Sequence, residues 1–203
     1  MTGAAAIRTR WYDPARDLEI RYATPADIAD VADMLAMPEV CEHVFFGPNS
    51  REETEAYFGP DIAAAEAALA RGARPDAHEF VIRRGGAFVG QCACVPVAFG
   101  AGNYAIGYQL LPTYWRQGIG GWAGEFLLWF GLEVLGARRL SAECLATNAG
   151  SIRILERCGL AREGLQRAYF RSRGRDHDQL LFGLLAADNR RDLRAIAARF
   201  EPT

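Results

Sequence analysis

Three glycines stand within four positions, at Gly118, Gly120 and Gly121, just before an apolar segment with helical character. Glycine leaves the main chain uncovered, and the first N–H groups of a helix have no partner within it and carry partial positive charge. A phosphate or diphosphate binds well at such a turn. A single glycine would indicate only a flexible entry to the helix, whereas three in this stretch favour an anion site.

The same turn also fits a dinucleotide-binding fingerprint, since Gly118-x-Gly120-x-x-Ala123 has the required spacing and Glu143 follows at the end of the next predicted strand. Two features count against this alternative. The first glycine of that fingerprint directly follows its strand, whereas residues 112–117 intervene here. The chain after Glu143 also has too few strand–helix–strand units for such a fold. Dinucleotide binding is therefore the second hypothesis.

The hydrophobic pattern predicts the elements that must hold this turn. Strands are predicted over residues 18–22, 79–84, 87–97, 104–111, 138–145, 160–171 and 178–185. Helices are predicted from Thr24 to Pro38 and over residues 39–45, 51–70, 122–135, 151–157 and 188–200. Ser50-x-x-Glu53 is a capping box before the third helix, which Gly59-Pro60 could interrupt. Together they predict an α+β fold, with a mixed, mostly antiparallel twisted sheet and helices on both faces.

Length and composition predict one domain over residues 18–187, preceded by an irregular arm (1–17) and followed by a helical extension (188–203). A formal net charge of −2 argues against a nucleic-acid partner. We find no apolar run of membrane-spanning length and no signal peptide, so we expect neither a membrane partner nor export. The five cysteines are interpreted as buried reduced thiols of a cytoplasmic protein, with no metal site.

The second half of the chain carries an ordered series of motifs. They are Ile106-Gly107-Tyr108-x-Leu110-x-Pro112-x-Tyr114-Trp115-x-x-Gly118-x-Gly120, Arg139-Leu140-x-Ala142, Asn148-x-x-Ser151-x-Arg153-x-Leu155-Glu156-x-x-Gly159-Leu160-x-x-Glu163-Gly164, and Gly174-x-x-x-Asp178. In this order the chain resembles the GNAT superfamily of acyl-CoA-dependent N-acetyltransferases. Within it, the chain resembles the ribosomal-protein-alanine N-acetyltransferase branch and its small-molecule relatives. The resemblance runs from about Leu18 to Leu185 and implies the GNAT fold.

The resemblance implies that acetyl-CoA is the cofactor. The glycine turn would hold the CoA diphosphate through main-chain N–H groups, and free backbone groups at the end of the preceding strand would pair with the pantetheine arm. Asn148 would bind that arm or position a water, and Ser151 would protonate the departing thiolate, so both are predicted to be catalytic. The predicted cofactor-binding residues are Leu110, Leu111, Arg116, Gln117, Gly118, Ile119, Gly120, Gly121, Asn148, Ser151 and Arg153.

The chain departs from the family pattern at two tryptophans. Trp115 stands where the family often has Arg or Gln, as it does in the ribosomal-protein branch. Trp122 stands where that branch commonly has a glutamate, and we expect Trp122 to pack in the core.

Direct acetyl transfer needs a donor for the developing oxyanion and a base for the proton of the amine. The predicted donor is the N–H of Leu110 or Leu111. The base is left open among Glu79, Glu143, His177 and Asp178.

The acceptor should be bound by residues 38–78 and 170–177, and the acidity of the first segment suits a cationic amine. It is left open between a protein N-terminal α-amine and a small-molecule amine. A non-catalytic module that binds acyl-CoA is a further alternative, and the last predicted helix could form a homodimer contact.

Overall fold

The computed structural model describes residues 7–172 and 174–202, and its central element is a nine-stranded sheet. The strands in chain order are Arg10–Asp13 (β1), Leu18–Tyr22 (β2), His78–Arg84 (β3), Ala87–Pro96 (β4), Asn103–Leu110 (β5), Arg139–Leu145 (β6), Ala161–Ser172 (β7), Arg175–Leu185 (β8) and Glu201–Pro202 (β9). Across the sheet the order is β7-β8-β6-β5-β4-β3-β2-β1-β9. Within the described ranges only β5 and β6 pair in parallel, which confirms the predicted mixed, mostly antiparallel sheet.

Six α-helices accompany the sheet in the described part of the chain: Ile28–Leu35 (α1), Pro38–Cys41 (α2), Arg51–Ala70 (α3), Ile119–Trp129 (α4), Ala149–Arg157 (α5) and Leu193–Ala197 (α6). The capping box before α3 is confirmed, since Ser50 Oγ accepts from Glu53 N and Glu53 Oε2 accepts from Ser50 N. The predicted helix over residues 51–70 is confirmed, and Gly59-Pro60 does not interrupt it. The prediction for residues 39–45 was too long, since α2 has only one turn.

Helices cover both faces of the sheet, as predicted, and β3 shows why. Its residues alternate between two apolar clusters. Val81 packs with α1, α2 and α3 on one side, which we call the α1 face. Phe80 and Ile82 pack with α4, α5 and α6 on the other side, the α4 face. Successive strand residues point to opposite faces, so each strand contributes side chains to both cores.

The prediction of an irregular arm over residues 1–17 is wrong for β1, which pairs with β2 from Arg10↔Arg21 to Asp13↔Leu18. Residues 1–6 of that arm lie outside the described residues. Trp11 is 1% exposed and packs edge-on against Phe80 in the main core. The burial of Trp11 holds β1 on the sheet. This strand was not predicted because four residues are too few to give a clear alternating pattern of apolar and polar residues.

The predicted helix over residues 188–200 is also wrong in extent. The α-helix α6 covers only five residues, with Asp192 as its N-cap. Residues 201–202 then form β9 beside β1, and residue 203 lies outside the described residues. Ile196 and Phe200 are buried in the cluster that contains α4, so this segment packs on the domain itself. No helix within residues 7–172 and 174–202 is long and apolar enough to cross a membrane.

Candidate functional site

The parallel strands β5 and β6 separate before they end. They pair only over residues 103–105 and 139–141, whereas β5 continues to Leu110 and β6 to Leu145. On their outer sides β5 stays paired with β4 and β6 with β8. The separation leaves an opening in the middle of the sheet, which we call the β5–β6 gap.

At the end of β5, the two predicted main-chain donors face in opposite directions. Leu111 N donates to Val89 O of β4 at 2.9 Å, and Leu110 O accepts from Trp115 Nε1 at 2.8 Å. Because N–H groups alternate in direction along a strand, Leu110 N–H faces away from β4 and towards the gap. Of the two predicted donors, the N–H of Leu111 is therefore engaged with β4, and the N–H of Leu110 remains as the candidate.

The glycine turn belongs to the first turn of α4 rather than to a loop before it. The predicted start at residue 122 is three residues late, since α4 begins at Ile119 and its first intrahelical bond runs from Trp122 N to Gly118 O. The N–H groups of Ile119, Gly120 and Gly121 therefore have no intrahelical acceptor. These three groups give the start of α4 its capacity to bind an anion.

The three glycines have different physical roles. Gly118 has φ +78°, a left-handed conformation that disfavours other residues. A methyl group on Gly120 would lie 2.9 Å from Ile154 Cδ1, so this glycine allows α5 to pack closely on α4. A methyl group on Gly121 would meet no atom within 4 Å. Of the three, Gly121 is the one whose added methyl group would point into unoccupied space, which a ligand can fill.

The residues before Gly118 are held by contacts with the sheet. Arg116 also has a positive φ, +61°, and is exposed. The Gln117 side chain accepts from Arg84 Nη1 at 2.9 Å and donates to Thr113 O at 2.9 Å. Gln117 therefore uses its side chain to fix the turn, which leaves its main chain for a ligand. The hydrogen bond from Arg84 to Gln117 was not predicted from the sequence.

Trp122 lies in the core, as expected, and also makes a polar contact across the molecule. Its Nε1 donates to Asp13 Oδ2 at 2.8 Å, and Asp13 is 2% exposed. This bond ties the turn between β1 and β2 to the first turn of α4. In the same turn, Arg16 Nη1 lies 3.7 Å from the position that a Cβ atom on Gly118 would take.

Ser151 lies at the start of α5 and reaches β5 and β6. Its Oγ is 3.1 Å from Tyr108 Oη, and the Cys144 thiol of β6 lies close by. Burial raises the pKa of Tyr108 well above its ordinary range, and burial likewise raises the pKa of Cys144. The two neighbours therefore stay protonated at neutral pH, and the Tyr108 hydroxyl can donate a hydrogen bond to Ser151 Oγ.

Asn148 uses both ends of its side-chain amide within the protein. Oδ1 accepts from Ser151 N at 2.9 Å, which caps α5, and Nδ2 donates to His43 O at 3.0 Å. These bonds position Ser151 and hold the segment after α2. The second N–H of Nδ2 and the second lone pair of Oδ1 remain available for the predicted cofactor contact. Arg153 and Arg157 are exposed on α5.

A polar strip lies on the α1 face beside the gap. Glu79 is in register with Ala93 and, one strand further, with Gly107, so all three share that face. A methyl group on Gly107 would meet no atom within 4 Å, which shows open space there. Gln109, two residues on, accepts from Gln91 Nε2 at 3.0 Å. Burial, together with the nearby Asp61 carboxylate, raises the pKa of Glu79 to about 7.

The other candidate bases are less suitably placed. Asp178 Oδ1 accepts from Ala168 N at 2.8 Å, which fixes an irregularity in the β7–β8 ladder. Glu143 is exposed on β6, and His177 is half-buried in β8, opposite Phe170. Among the four, Glu79 alone is buried, and it lies on the α1 face.

The segment between α2 and α3 covers the α1 face near the gap. His43 packs edge-on against Trp115 with ring centroids 5.5 Å apart, and Phe45 stacks on Phe170 at 4.3 Å. Both segments that the sequence assigned to the acceptor therefore meet here. Of the predicted acidic surface, Glu53 is engaged in the cap of α3, whereas Asp61 lies near Glu79.

A family model described as an acetyltransferase (GNAT) domain matches residues 17–161. Among curated proteins, the uncharacterized N-acetyltransferase p20 of Bacillus licheniformis is 31% identical over 97 residues, which are 48% of this chain and 54% of that protein. The chain spans about half the length of the curated relatives it matches.

Two solved structures show the same fold. RimJ of Mycobacterium smegmatis, solved with CoA-disulfide, is 21% identical with a TM-score of 0.72, and the match covers 100% of both chains. Spermidine N-acetyltransferase from Vibrio cholerae, solved with CoA and spermine, is 16% identical with a TM-score of 0.71 over 85% of this chain and 97% of that one. The dinucleotide-binding hypothesis is wrong, since that fold is built on a parallel sheet.

Proposed function

The chain belongs to the GNAT acetyltransferase family, and from this premise we propose that it transfers an acetyl group from acetyl-CoA directly to a primary amine. The observation that carries the proposal is the β5–β6 gap, which has the free N–H groups of α4 at one end and the Ser151 hydroxyl within reach of both strands.

The residues present suit acetyl-CoA. The first turn of α4 offers three main-chain N–H groups beside open space at Gly121, which suits a diphosphate. The unpaired edge of β5 offers backbone groups to the amide-containing pantetheine arm. Acetyl-CoA supplies the acetyl group in activated form, as a thioester. Arg116 and Arg153 are exposed arginines that we assign to its phosphates.

Three groups of the chain carry the chemistry. Leu110 N–H donates to the acetyl oxygen, on which negative charge develops as the amine attacks. Glu79 takes the proton that the amine loses, through water, because Glu79 lies two strands from β5. Ser151 Oγ, hydrogen-bonded to Tyr108 Oη, gives its proton to the departing sulfur and is reprotonated from solvent. An acceptor that binds as a cation first releases one proton to solvent and then attacks as the neutral amine. The new C–N bond replaces the C–S bond, and the proton that Glu79 passes to solvent balances the one that solvent returns to Ser151.

For the acceptor, we infer a cationic amine that binds over the α1 face. Asp61, together with Glu79 in its ionised form, gives this face negative charge, which attracts such an amine. Both a protein N-terminal α-amine and a polyamine meet this requirement. Proteins that share the fold act on each kind: one solved structure is named as an α-N-acetyltransferase of ribosomal L7/L12 and another as a spermidine N-acetyltransferase.

The proposal is tested with the full chain, acetyl-CoA and a panel of polyamines, amino-acid amides and peptides with free N-termini. We expect CoA release that depends on the acceptor, with the product found by mass spectrometry. Ser151→Ala should lower kcat about tenfold or more with little change in KM for acetyl-CoA. Ser141→Ala, in the paired part of β6, is the matched control.

Direct transfer also predicts no acetyl group on the enzyme itself. The chain contains no lysine, so label on the quenched protein could lie only at its amino terminus or on a covalent intermediate. Labelled cysteine would refute direct transfer. Binding of CoA without transfer to any acceptor would instead support the non-catalytic module.

A further inference from the structure

The turn between β1 and β2 brings an arginine to the start of α4. Arg16 is exposed, and its Nη1 lies 3.7 Å from the position of a Cβ atom on Gly118. Within the part of the chain that the structure describes, no hydrogen bond or ion pair to the Arg16 guanidinium is found. The guanidinium therefore has its donors available beside the free N–H groups of α4.

The position of this turn is fixed by buried contacts. Asp13 Oδ2 accepts from Trp122 Nε1 at 2.8 Å, and Asp13 Oδ1 accepts from Ala15 N at 3.0 Å. Asp13 O accepts from Arg16 N at 3.2 Å. Asp13 thus joins α4 to the backbone that carries Arg16. A glutamate at position 122 could not donate to Asp13 and would place a second carboxylate beside it.

We propose that Arg16 is a CoA-binding residue, which holds the diphosphate together with the N–H groups at the start of α4. This inference rests on the proposed function. A guanidinium pairs with two phosphoryl oxygens at once, and main-chain N–H groups leave other oxygens of the same diphosphate free for it. Trp122 and Asp13 are positioning residues in this arrangement, since they hold the turn without touching the ligand.

The test is calorimetric titration of the full chain with CoA, 3′-dephospho-CoA and pantetheine. Arg16→Ala should raise the Kd for CoA and for 3′-dephospho-CoA about tenfold, and leave the weak binding of pantetheine unchanged. The loss should shrink as salt is added. Arg10→Ala is the matched control, because Arg10 lies in the same hairpin but pairs with Glu19. Its Kd values should equal those of the unaltered chain.

Trp122→Phe tests whether the hydrogen bond between Trp122 and Asp13 positions Arg16. It keeps an aromatic ring but removes the donor to Asp13, so we expect weaker CoA binding that is not additive with Arg16→Ala. Unchanged CoA binding by Arg16→Ala would refute the inference while the proposed function stands. A loss confined to CoA, with 3′-dephospho-CoA unaffected, would refute the diphosphate assignment. If the unaltered chain binds no CoA, the proposed function itself fails.

Discussion

At the scale of single residues, Glu79 should determine how the rate of acetyl transfer depends on pH. Its pKa of about 7 results from burial and from the nearby Asp61 carboxylate. If Glu79 is the base, it must be deprotonated, so kcat should rise with pH and level off above about 7. Glu79→Gln should remove this rise and lower kcat about 100-fold. Steady-state kinetics between pH 5.5 and 9 measures both effects.

The raised pKa of Glu79 also predicts how the stability of the fold depends on pH. The pKa of Glu79 is higher in the folded protein than its ordinary value of 4.5, so its contribution to folding is complete below about pH 4.5 and is lost as pH rises through 7. Glu79→Gln stays neutral and should be the more stable protein at pH 8, by up to about 3 kcal/mol. Unchanged kinetics together with this stability gain would give Glu79 a structural role only. Loss of the pH dependence in Glu143→Gln would place the base on β6.

At the scale of elements, α4 separates the glycine that serves a ligand from those that serve packing. Gly121 lies in the first turn with no atom within 4 Å of an added methyl group, and a helical Cβ tilts towards the N-terminus of its helix. Gly121→Ala should therefore stabilise the fold by about 0.5–1 kcal/mol, because alanine favours helix. It should also weaken CoA binding about tenfold, because the methyl group points to the proposed diphosphate position.

Gly59→Ala in α3 is the control for this variant. Its methyl group would meet only Ile28 Cδ1, at 3.8 Å, and it lies on a helix of the opposite face. We expect CoA binding equal to that of the unaltered chain. Thermal unfolding and CoA titration, measured on the same samples, decide the outcome. If Gly121→Ala binds CoA as tightly as the unaltered chain, the diphosphate does not bind beside Gly121.

Much of this arrangement could be predicted from local sequence. The Ser50 capping box, the strand Leu18–Tyr22 and the order of strands and helices around the glycine turn depend on neighbouring residues. The contacts that were not predicted join residues that are far apart in the sequence. These contacts are the hydrogen bonds from Trp122 to Asp13, from Arg84 to Gln117 and from the N–H of Leu111 to the carbonyl of Val89. Periodicity cannot reveal such pairs, because they are set by strand register and by helix packing.

At the scale of the whole molecule, a charged cluster joins the helices of the α1 face to the sheet. Asp27, just before α1, is 1% exposed. Its carboxylate accepts from Arg21 of β2 at 2.6 and 2.8 Å and from Arg83 of β3 at 2.8 Å. It also accepts from Thr24 N at 2.8 Å. One buried carboxylate thus holds two strands and the start of a helix together, on the face where the acceptor should bind.

This cluster should make the fold sensitive to acid. Burial alone would raise the pKa of Asp27, but hydrogen bonds from Arg21, Arg83 and Thr24 hold it well below its usual range. The stabilisation is therefore present above about pH 4 and is lost as pH falls. Asp27→Asn leaves two arginines without their shared partner and should cost about 3–5 kcal/mol at pH 7, a difference that narrows below pH 4. Urea unfolding from pH 3 to 7 measures this difference. Asp30→Asn is the control, since the Asp30 side chain is 42% exposed and, within the described part of the chain, forms an ion pair with Arg83 only. Equal losses in the two variants would show that burial of Asp27 adds nothing to the attachment of α1.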